Sequence, residues 1–258
     1  MDATTLPRKP VVINRWLPYW AVFQADVGLT LQSWVYRAWV MLSLLASAGY
    51  LLYRYAPYHE AGLIQSAAGY LSDLLRWTLL GSAALVIVLT GGSISSERGT
   101  VADSVLSRGI SRYQYFLGKW HARLAAVLVT YLILGMLSLV ASLFFLQEDL
   151  SLVGSVVALL TVAALLGAVI SCGVAVSAVA NSTVAGIAVL WLILYGGGFA
   201  MSLLPAPFPA PDRVLQSLPE IVRGHYHLAA LGRLMVWCAG ISCTAAVVGM
   251  GYFGRRDV

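Results

Sequence analysis

The chain of 258 residues is 60% hydrophobic and only 10% charged, with a mean hydropathy of +0.82. So little polar surface cannot cover a water-soluble globule, which excludes the soluble classes and leaves an integral membrane protein. The net charge of +5 and pI near 9.2 do not point to a nucleic-acid partner, because the surplus cations flank apolar runs and membrane topology accounts for them better.

A helix needs about 20 mainly apolar residues to cross a hydrocarbon layer roughly 30 Å thick, and only helices or closed barrels satisfy their backbone there. The apolar runs here far exceed a barrel strand. The expected fold is therefore all-α: a polytopic membrane helical bundle of six transmembrane helices with an N-terminal interfacial helix, forming a single transmembrane domain over 1–258. The opening residues MDATTLPRKP read as a flexible start without a secretory signal. Over 11–34, Trp16, Trp20, Phe23, Val27, Leu31 and Trp34 recur at helical spacing while Gln24, Asp26, Thr30 and Gln32 fall elsewhere. Tryptophan favours the headgroup level, so the pattern predicts an amphipathic helix in the membrane interface.

The first crossing, 36–55, holds sixteen uncharged residues between Arg37 and Arg54, whose long side chains snorkel toward water. The stretch from Ala56 to Asp73, with His59 and Glu60, is too rich in Gly, Ala and Ser to span and reads as a loop. The second crossing, 75–95, lies among the twenty uncharged residues between Arg76 and Glu97, and the third, 124–146, among the twenty-four from Leu124 to Gln147. Sixty-two residues from Leu150 to Pro211 carry no charge, enough for two crossings, and Asn181-Ser182-Thr183 is the polar break expected to divide them into 152–180 and 184–204. Gly167, Ser171 and Ala175 at four-residue spacing predict a close helix approach, and Gly196-Gly197-Gly198 a hinge or a packing surface. Five of the nine prolines fall between Pro205 and Pro219, so 205–232 is predicted to be a loop with short amphipathic pieces near 214–218 and 221–228. The sixth crossing is 234–254.

Six crossings put both termini on one side. With the termini inside, eleven Lys and Arg residues lie on the inner segments and five, Arg54, Arg76, Arg213, Arg223 and Arg233, on the outer ones. That is the positive-inside bias, so 96–123 is expected to be a cytoplasmic loop. Within it Thr100 to Arg108 is a short helix candidate, stopped at Gly109, and Ser111 followed three residues later by Gln114 is a capping-box pattern that starts a new helix running into the third crossing. Taken on physics alone, this segment is equally a force-transmitting helix or a plain loop whose cations hold topology.

Ser96-Glu97-Arg98-Gly99-Thr100, then Ser111-Arg112 and Leu117-Gly118-Lys119, resemble the pattern of type-2 ABC exporter permeases, and Phe253-Gly254-Arg255-Arg256-Asp257 resembles their aromatic-Arg-Arg-Asp ending. The order and spacing of the motifs, more than any one of them, carry the resemblance, which covers essentially the whole chain. Gly109 departs from the proline usual there. The chain is also similar in size and organisation to the membrane subunit of the transporter that supports nitrous oxide reductase maturation. The resemblance implies a permease subunit of a bacterial or archaeal cytoplasmic (inner) membrane, working as a homodimer with two copies of a separate cytoplasmic ABC ATPase and, in some systems, a periplasmic accessory protein. It implies a coupling surface formed by Glu97, Gly99, Thr100, Val101, Asp103, Val105, Leu106, Arg108, Arg112 and Lys119, with Arg255, Arg256 and Asp257 as the C-terminal motif.

No ATP chemistry is expected in this chain, because Gly118-Lys119 is followed by Trp120 and the first phosphate-loop glycine is replaced by Tyr113. ATP and Mg belong to the partner ATPase, and no cofactor is expected here. His225 and His227 are weak metal candidates without carboxylate or cysteine neighbours. Cys172, Cys238 and Cys243 are expected as packing thiols inside spans. The competing reading is a stand-alone membrane protein without an ATPase partner, either an intramembrane enzyme or a structural or immunity protein. The Gly-x-Ser-Gly segment of a rhomboid-type protease is absent, which disfavours the enzyme.

Overall fold

The computed structural model describes residues 16–61, 66–94, 110–146, 149–203 and 211–255. The chain is all-α: α1 (Leu17–Gln32), α2 (Trp34–Ala61), α3 (Ala67–Gly91), α4 (Arg112–Phe145), α5 (Leu152–Val179), α6 (Thr183–Trp191) continuing through a π-helical turn (Leu192–Gly196) into α7 (Gly197–Ser202), α8 (Pro211–Val222) and α9 (Leu228–Arg255). Among the described residues six stretches are long and apolar enough to cross a bilayer, the fifth being Thr183–Ser202. The protein is a multi-pass helical membrane protein.

The hub is α5, against which α9, α3, α4, α8 and α6 all pack. Of its spanning stretch 61% is buried, against 11% for α2 at the edge. Small residues make this density possible. Gly173 faces Thr90, whose Oγ1 would lie 2.0 Å from an added methyl, and Ala175 meets Gly249, where a methyl would come within 2.9 Å of the Ala175 Cα. Gly167 faces Leu124 and Leu128, and Ser171 accepts a 3.0 Å hydrogen bond from Trp120 Nε1, so the small-residue stripe is a packing surface.

Several helix ends lie where local chemistry puts them. Ser111 accepts from the Gln114 amide while the Gln114 side chain accepts from the Ser111 amide, a complete capping box at the start of α4. The break near 181–183 is real: Ala180 closes α5 and Ser182 caps α6 through the Ala185 amide. At 34 residues α4 is about 50 Å long, well beyond the hydrocarbon thickness, so its first turns extend past the spanning part. A single residue, Ser33, separates α1 from α2. Its hydroxyl donates to Thr30 O at 2.8 Å and accepts from the Tyr36 amide at 3.2 Å, which fixes the corner.

Other boundaries differ from the sequence reading. The second span begins at Ala67 rather than 75, because Ser66 caps it and Ala67, Ala68, Tyr70 and Leu71 are fully buried. The last span begins at Leu228 rather than 234, and the first runs from Trp34 to Ala56 rather than 36–55, within a helix that continues to Ala61. In place of two short pieces within 205–232 there is one continuous helix, α8, running through Pro219. Burying Leu215, Leu218, Ile221 and Val222 against α3 and α5 outweighs a proline penalty of roughly 3 kcal/mol. The helix expected at the interface, α1, buries Val22, Asp26 and Thr30, while Trp16, Trp20 and Trp34 stay exposed. Its polar side faces protein because a partner waits there.

Candidate functional site

That partner is on the extension of α4. Lys119 and Arg123, four residues apart, lie on one face, and both reach the Asp26 carboxylate. Lys119 Nζ donates to Asp26 Oδ1 at 3.3 Å and to the Ser93 carbonyl at 2.8 Å, and sits 5.3 Å from the centre of the Tyr115 ring. Arg123 donates to Asp26 Oδ1 at 3.3 Å, and its Nε lies 3.1 Å from Oδ2 in an ion pair too skewed to count as a hydrogen bond. The side chains of Asp26 and Lys119 are each only 3% exposed. Gly118 supplies the room, since a methyl there would fall 2.8 Å from Val22 Cγ1. The Gly118-Lys119 pair thus admits α1 with its first residue and binds it with its second. Tyr19 and His121 close the edge through a 3.1 Å hydrogen bond.

Around this cluster both roots of the 95–109 segment are tied down. On the outgoing side the Ser93 carbonyl is held by Lys119 and the Ile94 amide donates to Ser177 Oγ of α5 at 2.9 Å. On the returning side Arg112 donates to the Gly254 carbonyl at 3.4 Å, while the Tyr115 and Phe253 rings stack at 5.9 Å. Five helices, α1, α3, α4, α5 and α9, therefore converge on the two ends of one segment. Of the coupling and C-terminal residues singled out in the sequence, Arg112, Lys119 and Arg255 are described, and Arg255 lies exposed in the last turn of α9. Glu97, Gly99, Thr100, Val101, Asp103, Val105, Leu106, Arg108, Arg256 and Asp257 lie outside the described residues.

The roles of Asp26, Ser93, Tyr115 and Arg123 escaped the sequence reading. Asp26 did leave a signal: it is the sole carboxylate between Asp2 and Glu60, set in an apolar stretch, where an acid needs a cation.

At the far end of the bundle α8 lies over α3 and α5. Asp149 bridges them: its carboxylate accepts from Ser66 Oγ, from the Ala68 amide at 2.8 Å, and pairs with Arg223 Nε at 3.6 Å. The amides lie at the start of α3, where negative charge is favoured. Burial opposes the ionised form of Asp149, but Ser66, the Ala68 amide, Arg223 and the Ala67 amide outweigh it and hold the pKa below the ordinary value. A depressed pKa stabilises the fold above the unfolded value of 3.8, and that contribution is lost as pH falls through the lower, folded value. Melting measured from about pH 5 down to about pH 3 is expected to show an acid-side loss of under about 1 kcal/mol in the native protein, absent in Asp149→Asn. His225 and His227 are exposed in the connection between α8 and α9, and among the described residues no three His, Cys, Asp or Glu side chains come together. The three cysteines are free thiols: Cys238 buried, Cys172 half-buried and Cys243 exposed.

Compared with known proteins, the chain matches no family model and no curated sequence.

Proposed function

We propose that this chain is the transmembrane permease subunit of an ATP-binding-cassette transporter, an exporter that moves its substrate by alternating access while a separate ATPase subunit hydrolyses ATP. One observation supports this reading above the others: the segment 95–109 is anchored at both roots to five helices, so force applied to it enters the whole bundle rather than a loose loop. In this reading the anchored end is cytoplasmic, as the eleven-to-five distribution of cations favours. Thr100 to Arg108 is the coupling helix that seats in the ATPase, with Glu97 and Arg112 as its polar anchors. ATP closes the ATPase dimer, which displaces the coupling helices and shifts the bundle toward its outward-open or occluded form.

The permease works as a pair. Thr183–Ser202 is only 11% buried in the single chain, and Gly196, Gly197 and Gly198 have open space beside them, a surface on which a second copy would pack closely. Few charges lie within the spans, so the cargo is hydrophobic or amphipathic rather than a hydrated ion.

The test has two parts. Affinity-tagged chain extracted gently from membranes is expected to bring down a nucleotide-binding ATPase subunit in one-to-one ratio. Glu97→Ala, at equal membrane abundance, is expected to lower coupled transport by about tenfold, equivalent to about 1.4 kcal/mol of lost coupling. Purification of the chain with no ATPase, or unchanged transport by the variant, would count against the assignment.

A further inference from the structure

The edge helix α2 is held to the bundle by one stripe of polar residues: Tyr36, Trp39, Ser43, Ser47, Tyr50 and Arg54, spaced three or four apart along its length. Every rung but one is closed. Tyr36 Oη bonds Thr130 Oγ1 of α4, and Trp39 Nε1 donates to Ser82 Oγ of α3 at 2.9 Å. Ser47 Oγ bonds Ser138 Oγ at 2.8 Å and Tyr70 Oη at 3.2 Å. Tyr50 Oη and Arg54 both donate to Asp73, at 2.7 and 2.9 Å.

Ser43 is the open rung. Along antiparallel α3 the partner of Trp39 is Ser82 and that of Tyr50 and Arg54 is Asp73, so the level opposite Ser43 falls near Thr78, which lines the same cavity. Along α4 they step from Thr130 to Ser138, and the same level falls near Gly135, which has no side chain to offer. Instead of a contact there is a cavity of about 30 Å³ whose polar lining is Ser43, Ser47, Thr78, Tyr131 and Ser138, the rest of the wall being five leucines and Gly135. Several hydroxyls elsewhere in the spans satisfy themselves on their own helix: Thr90 donates to Val86 O, Thr130 to Ala126 O, Thr161 to Val157 O and Ser171 to Gly167 O, whereas Ser155 Oγ of α5 is buried without a partner among the described residues. Ser43 and Thr78 make no hydrogen bond to any described residue. Hydroxyls at membrane depth are costly without partners. A cavity needs only roughly 10–15 Å³ and two to four polar neighbours to hold a water.

We propose that this cavity binds one ordered water molecule, which bridges Ser43 Oγ and Thr78 Oγ1 and supplies the missing rung between α2 and α3. The water accepts or donates at both hydroxyls and has Ser47 and Ser138 within the same lining for further bonds.

The decisive comparison uses variants of the full chain melted in detergent. Thr78→Val keeps the shape and deletes one ligand, and is expected to lower the melting temperature by about 2–4 °C, as is Ser43→Ala. Because one water serves both hydroxyls, the double variant should lose little more than either single one. Ser43→Val, which fills the space with methyl groups, should also lower it. A dry cavity predicts the opposite on each count: no loss from Thr78→Val, a gain from Ser43→Val, and additive effects. A density map of the protein in a lipid nanodisc that resolves waters is expected to show a peak within hydrogen-bond distance of both hydroxyls, and its absence would overturn the proposal.

Discussion

Asp26→Ala is expected to destabilise the protein by about 3–5 kcal/mol, because it leaves Lys119 and Arg123 buried without their carboxylate. An exposed ion pair would give a tenth of that. Here the Asp26 and Lys119 side chains are each 3% exposed, and Lys119 cannot recover its lost partner from water while its other hydrogen bond goes to the Ser93 carbonyl. The first consequence is release of α1 from α4, which proteolysis between Ser33 and Tyr36 and faster amide exchange over 17–32 would reveal. Asp26→Leu combined with Lys119→Met removes one charge of each sign together and should recover part of the loss, since Arg123 at 11% exposure can turn outward. If Asp26→Ala melts like the native protein, the cluster does not hold the helix.

Gly154→Ala is expected to be the other severe change, costing about 1–3 kcal/mol or more although it adds a single methyl. That methyl would stand 2.3 Å from the Ile221 carbonyl oxygen, 2.8 Å from the Val222 carbonyl oxygen and 2.8 Å from the Gly224 amide. At Gly135 and Gly118 the nearest obstacles are side chains, and at Gly249 one backbone atom, the Ala175 Cα, stands at 2.9 Å. At Gly154 every obstacle is backbone, in the turn that ends α8. That turn has no slack: Gly224 sits at φ +90°, and the Ser151 amide donates to Val222 O at 3.0 Å. The variant should lift α8 from α3 and α5 while leaving the α1 end intact, so amide exchange should rise over 211–224 and not over 17–32. Gly135→Ala is a control of gentler kind, since its nearest obstacle is the flexible end of Leu159.

The number and order of the spans were legible because charge is costly in lipid, so the gaps between charged residues mark the crossings. The start of α4 and the break before α6 were legible because Ser111 with Gln114 and Ser182 act over three or four residues. What escaped depends on partners distant in the chain. The lone Asp26 within 17–32 signals that some cation must meet it, but which one is decided by Lys119 and Arg123, more than ninety residues on. The passage of α8 through Pro219 likewise follows from the surface that α3 and α5 present to Leu215 and Leu218. At the anchored end the sequence pointed to Arg112 and Lys119 but not to the carbonyls of Ser93 and Gly254 they hold, since backbone acceptors have no residue signature.

The stapled corner at Ser33 makes α1 and α2 behave as a bell-crank. One arm is riveted to the projecting start of α4, the other leans on the bundle's rim, and the elbow between them has no spare residue in which to bend. A sideways push on the first arm must therefore emerge as a tilt of the second.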